Sequence, residues 1–350
     1  MFLKNKNFVF LFPLIFAMPL MGPSCSVNKN DGGAYKTFDE GKSWKQVATI
    51  EENTKEDLTT SDATKLVSDP FNSDVVFLVT KEKGLYVSKT YGDTWKRILP
   101  ETATVYDLSA DPFTKGHLYA SVLLNERGKI IESTNGGTDW NEIYTEAGVG
   151  TYITHLKADP FLQNSLSAVN SEGLLIRSLD KGVTWKPMFP FNEALSAFIM
   201  DEQAPGSFWA LSQKGLWQSQ NGGLDFTLLE LDPEMGYRFL LLQKEKNNLF
   251  LGTEKGLFRS TDNAKTWEKI VTLNNPEEFP VNAITFFPNS PGKFTIGAGM
   301  TLYITRDNGQ TFQAIQFDLS REVTSILIKP DNPAQILVGV KLVAKNKIGF

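Results

Sequence analysis

Short β-type runs, each closed by turn residues, recur along the chain. Residues 63–69, 104–111 and 152–159 each lead into Asp-Pro-Phe, and weaker echoes end at Phe287-Pro288 and Lys329-Pro330. Proline cannot pair inside a sheet, so these runs read as strands ended by a turn. A second, more continuously apolar run follows at 75–80, 117–122, 165–169, 208–211, 249–253 and 293–297. A loop ending in glycine then opens a third run in most repeats, as in Gly84-Leu85-Tyr86-Val87, Gly215-Leu216-Trp217-Gln218 and Gly256-Leu257-Phe258-Arg259. Many short strands with regular turn signals predict an all-β closed array.

The turn that follows the third run is an eight-residue box, Ser/Thr-x-Asp-x-Gly-x-Thr-Trp, best seen at 178–185. It returns at 37–44, 88–95, 133–140, 219–226, 260–267 and 305–312, seven copies in all. The third position holds Asp39, Asn135, Asp180, Asn221, Asp262 and Asp307, with Thr90 the departure. The fifth is glycine except Ala264, and the eighth is Trp except Phe226 and Phe312. Steps of 41 to 51 residues between successive eighth positions match one four-stranded propeller blade. The residue types suit a tight hairpin. Asp or Asn accepts a backbone N–H two residues on, glycine takes positive φ, and the ring ties the turn to the core. The box carboxylates are therefore read as structural.

The segment before the first box supplies no first or second strand, and residues 323–328 and 335–340 supply both without a box. Joined, they complete one blade. The expectation is a seven-bladed propeller of four-stranded antiparallel blades over 32–350, its last blade closed by the two terminal segments. Pairing the ends removes the open sheet edges.

Composition narrows the chemistry. The 350 residues carry a net charge of −5, two histidines and one cysteine. No basic footprint for nucleic acid is present, and no metal site or cofactor is expected. Lys4 and Lys6 precede an apolar run and Met21-Gly22-Pro23-Ser24-Cys25, which reads as an export signal over 1–24. The single cysteine at its end resembles the lipidated Cys of a bacterial lipoprotein. Residues 25–31 would then be a polar tether and the chain an exported, envelope-anchored monomer.

The ring of boxes resembles the BNR/Asp-box propeller superfamily, which includes sialidases, xyloglucan hydrolases, the sortilin ectodomain and photosystem II assembly factors. That resemblance implies that boxes lie away from the ligand face. The active face would be built from the connections between fourth and first strands, those between second and third, and the channel mouth. The first set is acidic, with Glu51, Glu52, Glu56, Asp57, Glu101, Glu146, Glu193, Glu230, Asp232, Glu234, Glu277, Glu278 and Asp318 against Lys55 and Arg321. Such a rim would attract a basic protein or peptide segment. Counting four residues back from each Asp-Pro turn gives Lys65, Asp107 and His155, with Arg238 at roughly the corresponding place further on and Ala197, Ala283 and Ser325 in other blades. Neighbouring inner strands would bring these into a polar row able to bind an anion or exchange protons.

A glycoside hydrolase is the competing expectation. The sialidase signature Phe/Tyr-Arg-Ile-Pro is absent, and Arg177, Arg259 and Arg306 sit beside boxes, on the wrong face. Xyloglucan hydrolases resemble the chain in blade number but place paired acids between two tandem propellers. Carbohydrate binding without catalysis would need exposed aromatics such as Trp209 and Trp217, which sit in strands. The sequence favours a non-catalytic propeller that binds protein or peptide.

Overall fold

The structure, a computed structural model, describes residues 30–51, 56–236, 238–315 and 320–342. The segment read as an export signal (residues 1–24), Cys25, Glu52, Lys55, Asp318 and residues 343–350 lie outside them. Seven four-stranded antiparallel sheets form a seven-bladed β-propeller. The innermost strand of each blade, strand A, is in order Ala63–Ser68, Thr104–Ala110, Ile153–Ala158, Leu195–Met200, Phe239–Glu245, Val281–Phe286 and Arg321–Ile328. Successive A strands touch, and the last touches the first, so the ring is closed.

Closure works as the terminal runs require. Gly33–Thr37 pairs along Ile336–Leu342, from Gly33 opposite Val340 to Thr37 opposite Ile336. The sheet order is Lys45–Gln46, Gly33–Thr37, Ile336–Leu342, Arg321–Ile328. Trp44 packs into the cluster of Val323, Ile326, Ile336 and Val338. Asp31, expected in the polar tether, is instead part of the fold. Its carboxylate accepts the Ser320 N–H (2.8 Å) and the Arg321 Nε–H (2.8 Å). Arg321 is correspondingly not a rim cation. It is buried to 1% exposure and spans Asp31 and Asp62 (2.6 Å), riveting the first described residues to blade 7 and to the first strand of blade 1. Burial favours the neutral acid at Asp31, but the bonds from Ser320 and Arg321 outweigh it and lower its pKa.

Each box closes the hairpin between the third and fourth strands, C and D. In the copy at 178–185 the Ser178 hydroxyl accepts the Gly182 N–H (2.8 Å) and donates to Asp180 Oδ1 (2.8 Å). Asp180 then accepts the N–H of Thr184, four residues on, at 2.8 Å. The expected bond two residues on is made instead by the serine hydroxyl, so the carboxylate spans the whole turn. Gly182 has φ +87, and a Cβ there would meet Ile143 of the preceding blade at 2.6 Å. Conformation and packing both favour glycine here, although Ala264 takes the same place at φ +65 in another box. Trp185 donates to Gly182 C=O (3.1 Å) and across the blade boundary to Ile143 C=O (3.3 Å).

Candidate functional site

Antiparallel order places the A–B and C–D turns at one end of the propeller, the box face, and the D–A and B–C connections at the other. Every strand A carries a register irregularity near its start, between Ala63/Lys65, Val105/Asp107, Ile153/His155, Leu195/Ala197, Phe239/Leu241, Val281/Ala283 and Val323/Ser325. A bulge re-aims the side chain that follows it. At four of them the extra residue is Ser or Thr, and Thr64, Thr154 and Ser196 use the hydroxyl to cap a carbonyl of the neighbouring strand B, on Val79, Val169 and Leu211. Thr324 donates across to Ala63 C=O in blade 1 at 2.7 Å.

The residues just after the bulges form one tier around the channel: Lys65, Asp107, His155, Ala197, Leu241, Ala283 and Ser325. The first three come together as expected. Lys65 Nζ is ion-paired to Asp107 Oδ1. The Leu156 N–H, next to His155, donates to Asp107 Oδ2 (2.9 Å), and the Leu108 N–H to Oδ1 (2.9 Å). Ser325 makes the matching bond at the closure, accepting the Leu66 N–H at 3.1 Å. Arg238 does not join the tier. It is exposed before strand A of blade 5, its N–H bonded to Glu254 (2.7 Å), and the register gives that place to Leu241.

The sequence reading missed Lys157. Two residues beyond His155 on the same strand, its Nζ lies 3.9 Å from Asp107 Oδ2. The signal was available, since alternate residues share one side of a strand. Asp107 is buried, which alone would raise its pKa. Lys157, Lys65 and the Leu156 N–H reverse that and hold it well below the carboxylate range. Burial pushes His155 down to about 4; Asp107 opposes this while Lys157 and Lys65 reinforce it, so the imidazole is neutral near pH 7. Its Nδ1 lies 2.9 Å from Thr154 Oγ1. With Lys157 beside it, the tier brings together an acid ionised near pH 7, a neutral histidine and two lysines.

On the box-free face Glu51, Glu56, Asp57, Glu101, Glu230, Asp232, Glu234, Glu277 and Glu278 are exposed. Glu146 departs from the expected rim: it is buried and accepts from Asn170 Nδ2 at 3.1 Å. Exposed Arg127 and Arg238 and buried Arg321 lie in different blades. Trp209 is buried and Trp217 packs among Phe189 and Phe191, so neither offers a sugar platform. No group of three or more metal-ligating side chains occurs among the described residues.

These features define a class, a seven-bladed β-propeller with a repeated C–D box and a charged arc on three adjacent inner strands. Within it, residues 32–157 match the Sortilin-Vps10 family model, described as sortilin, neurotensin receptor 3. A curated relative, a probable oligoxyloglucan-reducing end-specific xyloglucanase of Neosartorya fischeri, is 25% identical over 210 residues, 52% of this chain and 26% of its own. The chain thus spans about a quarter of that relative. Among solved structures, a GH74 xyloglucanase from Xanthomonas campestris superposes with TM-score 0.68 at 14% identity, over 80% of this chain and 51% of its own. YCF48 bound to D1 peptide superposes with TM-score 0.63 at 17% identity, over 81% of this chain and 94% of its own.

Proposed function

We propose that this chain is an exported, non-catalytic propeller that docks a basic protein or peptide segment on its box-free face, held at a bacterial envelope through Cys25. The observation that carries this reading is the contrast between the inner tier and the rim. The one acid of the tier is ion-paired and saturated, while exposed carboxylates collect on the outer connections. A dispersed acidic rim attracts cations at long range and specifies no single proton transfer. The peptide-bound YCF48 fold, matched over nearly its whole length, supports the same reading.

The second reading is a xyloglucan hydrolase, favoured by the 25% identity to a xyloglucanase. One experiment separates them. A labelled Lys/Arg-rich peptide is titrated at rising ionic strength, with chromogenic glycosides and xyloglucan oligosaccharides assayed on the same preparation. Docking predicts saturable peptide binding that weakens several-fold with salt and is lost when Glu230, Asp232 and Glu234 are reversed to lysine. Salt-independent binding, or glycoside turnover abolished by changing one rim carboxylate, would overturn it.

A further inference from the structure

Asp107 serves more cations than one carboxylate can satisfy. It accepts two backbone N–H groups, pairs with Lys65, and meets Lys157 only at 3.9 Å. Lys157 has no nearer carboxylate among the described residues. The Lys65 and Lys157 side chains are 32% and 28% exposed, so each reaches the channel in part, while the Lys157 ammonium sits deep enough for burial to lower its pKa.

Lys157 is also on the wall of a cavity of about 380 Å³ at the A–B ends of blades 3, 4 and 5. This cavity opens on the box face, not on the face assigned to docking. Ala158, Pro160, Ile199 and Met200 give it an apolar wall, and Gln203 and Gln243 supply amides. Asp201 and Lys244 also line it but satisfy each other at 3.0 Å. Glu245 and Lys246 lie at its edge on the blade 5 turn, and Glu202 is exposed. The rest of the lining is charged or amide, so the cavity sets one apolar wall against a largely polar one, and small-ligand sites combine apolar surface with a few convergent polar groups.

We propose that Lys157, backed by Lys65, is the anion seat of a second site that takes the carboxylate of a small apolar acid or of a polypeptide C-terminus, entered from the box face. The ligand's apolar body lies against Pro160, Ile199 and Met200, and its carboxylate completes the charge balance that Asp107 leaves short. Burial holds the Lys157 pKa down, and Lys65 adds to this against the pull of Asp107. A bound anion relieves both. Glu202, the remaining acid whose charge Lys157 feels, opposes the incoming carboxylate.

The test is an amide NMR titration of the full folded chain with propanoate, N-acetylalanine and N-acetylalaninamide at constant chloride. The Leu156 and Ala158 signals are expected to shift saturably with both acids and not with the amide. Lys157→Met is expected to abolish the shifts, Lys65→Met to weaken them several-fold, and Glu202→Gln to strengthen binding several-fold. Removing Lys157 also removes a like charge beside Lys65, and an otherwise unchanged spectrum verifies the fold. Tighter binding of N-acetylalanine than of propanoate identifies a chain terminus as the source, and equal binding identifies a free small acid. Shifts that never saturate, that appear equally with the amide, or that survive Lys157→Met overturn the proposal. Peptide docking on the opposite face can fail without affecting any of these readouts.

Discussion

The inner tier and the outer boxes use the same device, a repeated backbone shape seen seven times, and fill it in opposite ways. In the boxes the side chains change but the bonding persists. Where the third residue is Asp39, Asp180, Asp262 or Asp307, the seventh is Ser or Thr, whose hydroxyl donates to the carboxylate at 2.5 to 2.6 Å. Where the third is Asn135 or Asn221, the seventh is Asp139 or Asp225, and the asparagine amide donates instead, at 2.8 and 3.2 Å. Either way one acceptor oxygen remains for the N–H four residues on. In the tier the bulge persists but the chemistry does not: Lys65, Asp107 and His155 face Ala197, Leu241 and Ala283 around the ring. A repeated position whose substitutions preserve one bonding scheme serves the fold. A position whose substitutions abandon it, in adjacent blades only, marks where the ring differs from itself and where a ligand can be told from solvent.

Breaking the tier on its charged side is expected to have the largest effect. Asp107→Ala leaves two ammonium groups and two N–H donors without their acceptor; the lysines are partly open to the channel, so the loss is expected at about 2–3 kcal/mol, the worth of bonds to a charged group. At the same tier on the closing blade, Ser325→Ala removes only a neutral bond to the Leu66 N–H, worth about 1 kcal/mol. Urea unfolding of the two variants measures the contrast. Equal losses would mean that the charged arc carries no more than an ordinary interblade seal.

The boxes and the closure were legible in the sequence because turn chemistry is local: eight residues contain every partner of the hairpin except the preceding blade. Lys65, Asp107 and His155 were legible because each lies a fixed distance before an Asp-Pro turn. Arg238 was misplaced because blade 5 lacks that turn. Its first two strands are joined at Lys246-Asn247, Glu245 pairing with Asn248, so counting from the Pro has no origin there. Arg321 looked like a rim cation because its partners, Asp31 and Asp62, are distant in sequence and meet it only when the ring closes. The spacing gave Asp180 the right turn but the wrong N–H, since the Ser178 hydroxyl takes the nearer donor, Gly182 N–H.

Acid sharpens the comparison next. Hydroxyl and backbone donors hold Asp39, Asp180, Asp262 and Asp307 down to about 2, with the seventh residue of each box the leading contributor. A carboxylate lowered in the folded state stabilises it fully above the ordinary value near 3.8 and stops doing so as pH falls through the folded pKa. The boxes are therefore expected to loosen between about pH 4 and 2. Carboxyl-carbon NMR reads the four midpoints directly, and midpoints near the ordinary aspartate value would show that the turn bonds are absent in solution.

The smallest effect is the most discriminating, because it tests whether the two box chemistries are alternatives or accidents. Asn135→Asp alone places a second carboxylate against Asp139 and removes the amide donor that bridges them at 2.8 Å. Asp139→Thr alone leaves the Asn135 amide facing a hydroxyl. Each is expected to cost about 1 kcal/mol, the worth of one exposed charge-assisted bond and its replacement by repulsion or mismatch. The double variant rebuilds the pairing of Asp180 with Thr184, so its cost should fall below the sum of the singles by a comparable amount. Guanidine unfolding of the four proteins closes the cycle. If the singles simply add, the third and seventh residues act independently, and the fixed partnership of Asp with Ser/Thr and of Asn with Asp has no energetic basis in the turn.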